Sequence, residues 1–230
     1  MRINSSDINI EALRHLLCVE PQVLINEREE ARDRADDWMI FILILLNYFA
    51  SIMDINYKFL NSNQEVTDNT ISVADGILSY GMMHSYMLGR KSAGNLTSMS
   101  DHEMMEIEPM IDDNVDYFDA FLLAILDGMD EESRTKRVAK YEASLRKIYW
   151  IGFAKGDKSK TRRIQWIMDP AKEHCSDCLR FSQKGPMTMD EFYNECLSKD
   201  LVPQSYNLEC RGFNCGCYLK DIYEEDNANG

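Results

Sequence analysis

The chain has 230 residues, of which 45% are hydrophobic and 28% charged, and a formal net charge of -14 at pH 7. That is enough apolar material for one substantial core with a satellite module. So acidic a balance excludes nucleic-acid binding over the whole surface, and the polar opening MRINSSDINIEAL lacks the apolar segment of a secretory signal, so a disulfide framework is not expected.

Residues 7–36 read as helix, with Leu13, Leu16 and Leu17 at helical spacing and EREEARDRADD as a charged face. The run WMIFILILLNYFASIM, residues 38–53, follows. Its 16 residues include Asn47 and Ser51 and are flanked by Asp36, Asp37 and Asp54, which is short and polar for a membrane span of about 20 apolar residues. The expectation is a helix buried on all sides, inside a bundle or between subunits. Asn61, Ser62 and Asn63 mark a break. Residues 68–90 have helical spacing again, with Asp68 or Thr70 as the candidate N-cap, and His84 reads as a packed or hydrogen-bonded histidine.

Residues 91–103 are a loop by composition, and Ser100-x-x-Glu103 predicts a capping box for a helix from about Asp101. Pro109 falls early in that pattern, and residues 112–128 read as a short amphipathic helix ended by Gly128. Its Asp112, Asp113, Asp116 and Asp119 share a face, which an N-terminal helical turn explains better than a metal site. A long helix is predicted from Asp130 to Ala154, its apolar stripe formed by Val138, Tyr141, Leu145, Ile148, Tyr149 and Phe153.

Residues 134–163 hold eleven basic and two acidic residues, a net +9 that leaves -23 for the rest of a chain at -14. A solvated helix face, paired within the chain, is one reading. The other is a partner-binding surface for an acidic protein or DNA backbone, formed by Arg146, Lys147, Lys158, Lys160, Arg162 and Arg163.

Five of the seven cysteines form a spaced set in the last quarter: Cys175-x2-Cys178, 31 intervening residues, then Cys210-x4-Cys215-x-Cys217. A Cys-x2-Cys knuckle grips one ion from a single turn, and a distant pair completes a tetrahedron. The segment between holds Gly185, Pro186 and Pro203 and few long apolar runs, so it needs help to fold. Zinc in a site of this kind contributes on the order of 10 kcal/mol. Four of Cys175, Cys178, Cys210, Cys215 and Cys217 are the expected Zn2+ ligands, with Cys217 or Cys210 the candidate spare. His174 reads as a surface or outer-sphere residue because it adjoins Cys175. Cys18 and Cys196 read as small hydrophobes. An all-cysteine set is closed, which argues against catalysis. No Gly-rich phosphate loop, Gly-x-Ser-x-Gly or His-Glu-x-x-His occurs, so no enzyme is expected.

The run Trp166-x-x-Asp169-Pro170-Ala171-x-x-His174-Cys175-x-x-Cys178, followed by Gly185-Pro186-x-Thr188, Pro203, Cys210 and Asn214-Cys215-x-Cys217, resembles the C-terminal region of the tailed-bacteriophage head-morphogenesis, or minor head protein, family. Tyr141, Leu145, Tyr149 and Gly152 resemble that family's lead-in helix, so the likeness covers about residues 135–220. Gly216 stands where the family usually has Arg, and Met187 where it often has an aromatic. The resemblance implies a low-copy structural virion protein of the phage head, made in the host cytoplasm, with portal or inner capsid proteins and packaged DNA as partners. The competing reading is a cellular zinc-containing adaptor or regulatory module. The expected fold is mainly α: a helical body over residues 1–160, a long helix leading into a zinc-stabilised module over 161–220, and an acidic tail over 221–230.

Overall fold

The computed structural model describes residues 28–158, 162–212 and 215–222, with side chains from residue 35. The fold is mainly helical. Four long helices, α1 (Arg28–Phe59), α2 (Gln64–Ser92), α3 (Asp101–Leu126) and α4 (Glu131–Gly156), form a bundle. Two short helices and three short strands follow: β1 (Arg163–Ile167), α5 (Ser176–Lys184), β2 (Met187–Thr188), α6 (Met189–Glu195) and β3 (Tyr218–Ile222). Residues 1–27 and 223–230, and with them Cys18 and most of the acidic tail, lie outside the described residues.

The core of the bundle begins in α1. Ala35, Met39, Ile42, Leu46, Phe49 and Met53 are buried at alternating steps of four and three, the spacing that keeps one helical stripe against its neighbours. Each such side chain contributes about 2 kcal/mol by leaving water. Asn56, the next position on the stripe, is also fully buried. Its amide donates to the Asn63 carbonyl (3.1 Å) and Thr67 Oγ1 (3.0 Å), and its carbonyl oxygen accepts from Asn63 N–H (2.7 Å). A buried amide so bonded fixes the turn into α2. The turn itself has Asn61 and Ser62 at φ 52° and 56°.

The apolar run of α1 is not buried on all sides within the chain. Ile40, Ile44, Tyr48 and Ile55 face outward, Ile40 and Ile44 at 56% and 60% exposure. Residues 35–59 are long and apolar enough to cross a membrane by length and composition, but the opposite face of that stretch packs into the bundle.

Helix α2 starts four residues before the predicted Asp68, because Asn63 caps it by accepting from Val66 N–H (3.1 Å). The predicted capping box forms on α3: Ser100 N–H donates to Glu103 Oε2 (2.9 Å) and Glu103 N–H to Ser100 Oγ (3.3 Å). That helix runs unbroken through Pro109, where two segments were expected. Pro109 sits on an exposed face, so solvent can replace the backbone bond that proline removes. The aspartates from Asp112 onward therefore lie in mid-helix, not in a first turn.

Helices α2 and α4 cross with backbones in contact. A Cβ on Gly89 would overlap the Tyr149 carbonyl, one on Gly152 the Tyr86 carbonyl, and one on Gly156 would lie 2.7 Å from the Arg90 carbonyl. The N-terminus of α4 is capped by Asp130, which accepts from Ser133 N–H (2.9 Å).

The C-terminal part is organised by a three-stranded antiparallel sheet of order β2-β1-β3, with Ile164 opposite Met187, Trp166 opposite Leu219 and Ile167 opposite Tyr218. Ile164 and Trp166 alternate inward from β1, and Trp166 stacks on Phe181 of α5 at 5.0 Å. The unit leans on α4, where Trp150 meets Phe192 of α6 edge-on at 5.9 Å.

Candidate metal centre

Local structure brings the cysteines together. Cys175 is the N-cap of α5 and Cys178 lies in its first turn, so both thiols sit at the positive end of a helix, which favours thiolate. The chain near residue 210 is tied to that turn by a reciprocal clamp. Ser176 N–H and Oγ donate to Glu209 Oε2 (2.8 and 2.6 Å), and Glu209 N–H donates to Asp177 Oδ2 (2.8 Å). Cys217 directly precedes β3, and the Tyr218–Ile167 pairing holds it beside the end of β1.

Two triads result: Cys175, Cys178 and Cys210, and Cys178, Cys215 and Cys217, with the sulfurs of each within 4.8 Å of one another. Cys178 belongs to both and is buried, as is Cys217; the other three are half-buried. Cys175 and Cys178 sulfurs are 3.5 Å apart. A donor set of this kind can hold a metal ion, and thiolates select soft ions such as zinc. Cys196 is fully buried and outside both triads; burial pushes its thiol up to about 12.

The metal-free thiols differ in acidity. The bond to Cys178 leads in holding Cys215 down to about 5. Burial opposes ionisation of Cys175, but bonds from Cys178 and Cys210 bring it below the ordinary thiol range. Bonding to Cys215 and burial drive Cys178 far up, and burial raises Cys210 to about 11. Each triad thus carries one thiol held below the ordinary range, Cys175 in the first and Cys215 in the second.

Two neighbours complete the centre. Trp166 is fully buried, and its indole N–H makes no hydrogen bond of good geometry; it lies near the Cys217 thiol and favours that thiol's ionised form. His174 is closer to the cluster than its place beside Cys175 suggested. Its Nε2 lies 2.8 Å from the Asp169 carbonyl and its Nδ1 3.4 Å from Cys217 Sγ. A carbonyl only accepts, so Nε2 carries the hydrogen, and in the neutral ring Nδ1 presents a lone pair to the cluster.

Gly216 stands between two of the cysteines because its space is taken. A Cβ there would lie 2.6 Å from Lys172 Cδ and 2.9 Å from Asp169 Cβ. The Lys172 stem crosses the place that a side chain at 216 would fill.

The basic window is dispersed. Arg146 pairs with Asp36 (2.8 Å) and Glu142 (2.9 Å), Lys147 with Asp200 (3.0 Å), Arg134 with Asp54 (3.0 Å) and Lys155 with Glu106 (2.8 Å). Arg162 is only 2% exposed, pairs with Asp221 and lies over Phe153 at 5.0 Å, so it presents no charge to a partner. Arg163 is half-buried in β1, and Lys158 is exposed. Lys160 lies outside the described residues. Of the six residues expected to meet a partner, Arg146, Lys147 and Arg162 are thus paired within the chain.

Elsewhere, His84 meets Trp38 at a tilt of 58° with ring centroids 4.3 Å apart, and burial leads in lowering it to about 4. Of the four aspartates expected to be solvated, Asp119 is half-buried against Asp75 of α2. The chain matches no family model, no curated protein and no solved structure.

Proposed function

We propose that the chain is a structural virion protein of a tailed bacteriophage, a minor head or portal-associated component acting in head assembly or DNA ejection, whose C-terminal unit is held by structural zinc. The observation that carries this reading is the convergence of Trp166, His174, Cys175, Cys178, Cys215 and Cys217, the residues of the family resemblance, around one centre, with the tryptophan indole near a cluster sulfur. Sequence-distant residues that share one buried site support reading them as one motif. The outward Ile40, Ile44, Tyr48 and Ile55 of α1 suit a protein that is covered in an assembly. With Arg146, Lys147 and Arg162 paired internally, we favour a portal or inner capsid protein over packaged DNA as the partner.

Two measurements test this. Mass spectrometry of purified, DNA-filled particles should find the chain as a low-copy component. Elemental analysis of the isolated protein should find zinc. A chain absent from particles overturns the virion reading, and a zinc-free protein with a folded C-terminal unit overturns the structural metal.

A further inference from the structure

We propose that the centre is binuclear, with Cys178 bridging two zinc ions; this rests on the structural-zinc reading above. A tetrahedral ion with zinc–sulfur bonds of about 2.3 Å separates its sulfurs by about 3.8 Å. The described cysteines form two compact groups of three, and no group of four lies within the same 4.8 Å limit. A single ion would have to draw sulfurs from both groups and leave a fifth cysteine unused inside a buried site. Two ions use all five. The first takes Cys175, Cys178 and Cys210. The second takes Cys178, Cys215 and Cys217; His174 Nδ1 lies 3.4 Å from Cys217 Sγ but belongs to neither compact group, so it borders this ion rather than completing its set.

Two further features agree. The Trp166 indole N–H, fully buried and without a hydrogen bond, lies near the Cys217 sulfur, where a thiolate kept deprotonated by a bound ion would accept from it. Charge also balances better. Two divalent ions among five thiolates leave a net of about -1, against about -2 for one ion in four thiolates, and Lys172 crossing Gly216 beside Cys215 and Cys217 offers one compensating cation. The first ion has three protein donors, two of them the half-buried Cys175 and Cys210, so its fourth position is open to solvent and it exchanges faster.

Native mass spectrometry of the full chain with zinc tests this, together with 113Cd NMR of the cadmium-substituted protein. Two ions per chain are expected, released in two phases by a competing chelator, with two cadmium resonances split by coupling through the shared sulfur. Cys210→Ser should keep one ion and Cys178→Ser should lose both. One ion per chain, or a single cadmium resonance, overturns the binuclear centre and leaves the structural zinc standing. No ion at all overturns both. Two ions retained in Cys178→Ser overturns the bridge. If that variant fails to fold, the presence or absence of cadmium–cadmium coupling in the unaltered chain decides.

Discussion

At the scale of single residues, the bundle carries one pair of like charges that costs it stability. Asp75 on α2 and Asp119 on α3 face each other, each with one buried oxygen that has no partner when both carboxyls are ionised. Burial, the bond to Asp119 and then the charges of Asp119 and Asp116 push Asp75 up to about 7. The folded state therefore holds a proton that the unfolded chain releases near pH 4. The stability this supplies is complete below the unfolded value and lost as pH rises from about 4 to about 7. Asp75→Asn keeps a hydrogen-bonding side chain and removes the charge. It should raise the melting temperature by a few degrees at pH 8 and hardly change it at pH 4. An equal shift at both values would mean that the two carboxyls do not share the proton. Nothing in the local sequence announces this pair, because its members are 44 positions apart and only the bundle brings them together.

At the scale of elements, legibility followed the range of the interaction. The stripe from Val138 to Phe153 gave α4 because helical periodicity and the Asp130 cap are local, and the Ser100–Glu103 box gave the start of α3 for the same reason. Pro109 misled because the ordinary cost of interior proline falls where the helix face is exposed. The strands were missed because β1 and β3 have five residues each and β2 has two, too few for alternation to stand out; Ile164 and Trp166 in RIQWI were the available signal. The cysteine spacing indicated a centre, but not the place of His174, since adjacency to Cys175 says nothing about where the imidazole turns. The glycines of the α2–α4 crossing were equally silent, being set by a neighbouring backbone. That crossing is sharply testable. Gly152→Ala puts a methyl group into the Tyr86 carbonyl, so the helices must separate, at a cost of about 3 kcal/mol. Gly76→Ala, where a Cβ meets nothing within 4 Å, is the control in the same bundle and should be neutral or stabilising in a helix interior. Urea unfolding followed by circular dichroism would compare them. Similar losses for both would point to general helix effects rather than the crossing.

For the whole molecule, the question is how far the cysteine-bearing unit depends on the proposed metal and how far on the bundle. The unit has apolar packing of its own, with Trp166, Phe181, Met187, Phe192, Val202 and Leu208 all buried. It also rests on α4 through Trp150–Phe192, Lys147–Asp200 and the Arg162 guanidinium over Phe153. The bundle is different in kind: its α1 stripe and the α2–α4 crossing involve no cysteine. Metal removal should therefore act unevenly. With the proposed ions removed, the ends of the unit are joined by the Glu209 clamp and the short sheet. Hydrogen exchange with and without a strong chelator should show amide protection lost across residues 164–222. Protection in α1, α2 and α3 should be unchanged. The C-terminal half of α4 should lose part of its protection, because Trp150 and Phe153 would be uncovered on one face while Gly152 stays locked against α2. Loss across all four long helices would show that the metal centre holds up the bundle too. Full retention in 164–222 would show that the packing around Trp166 suffices without metal, and Cys175→Ser should then leave the unit folded as well.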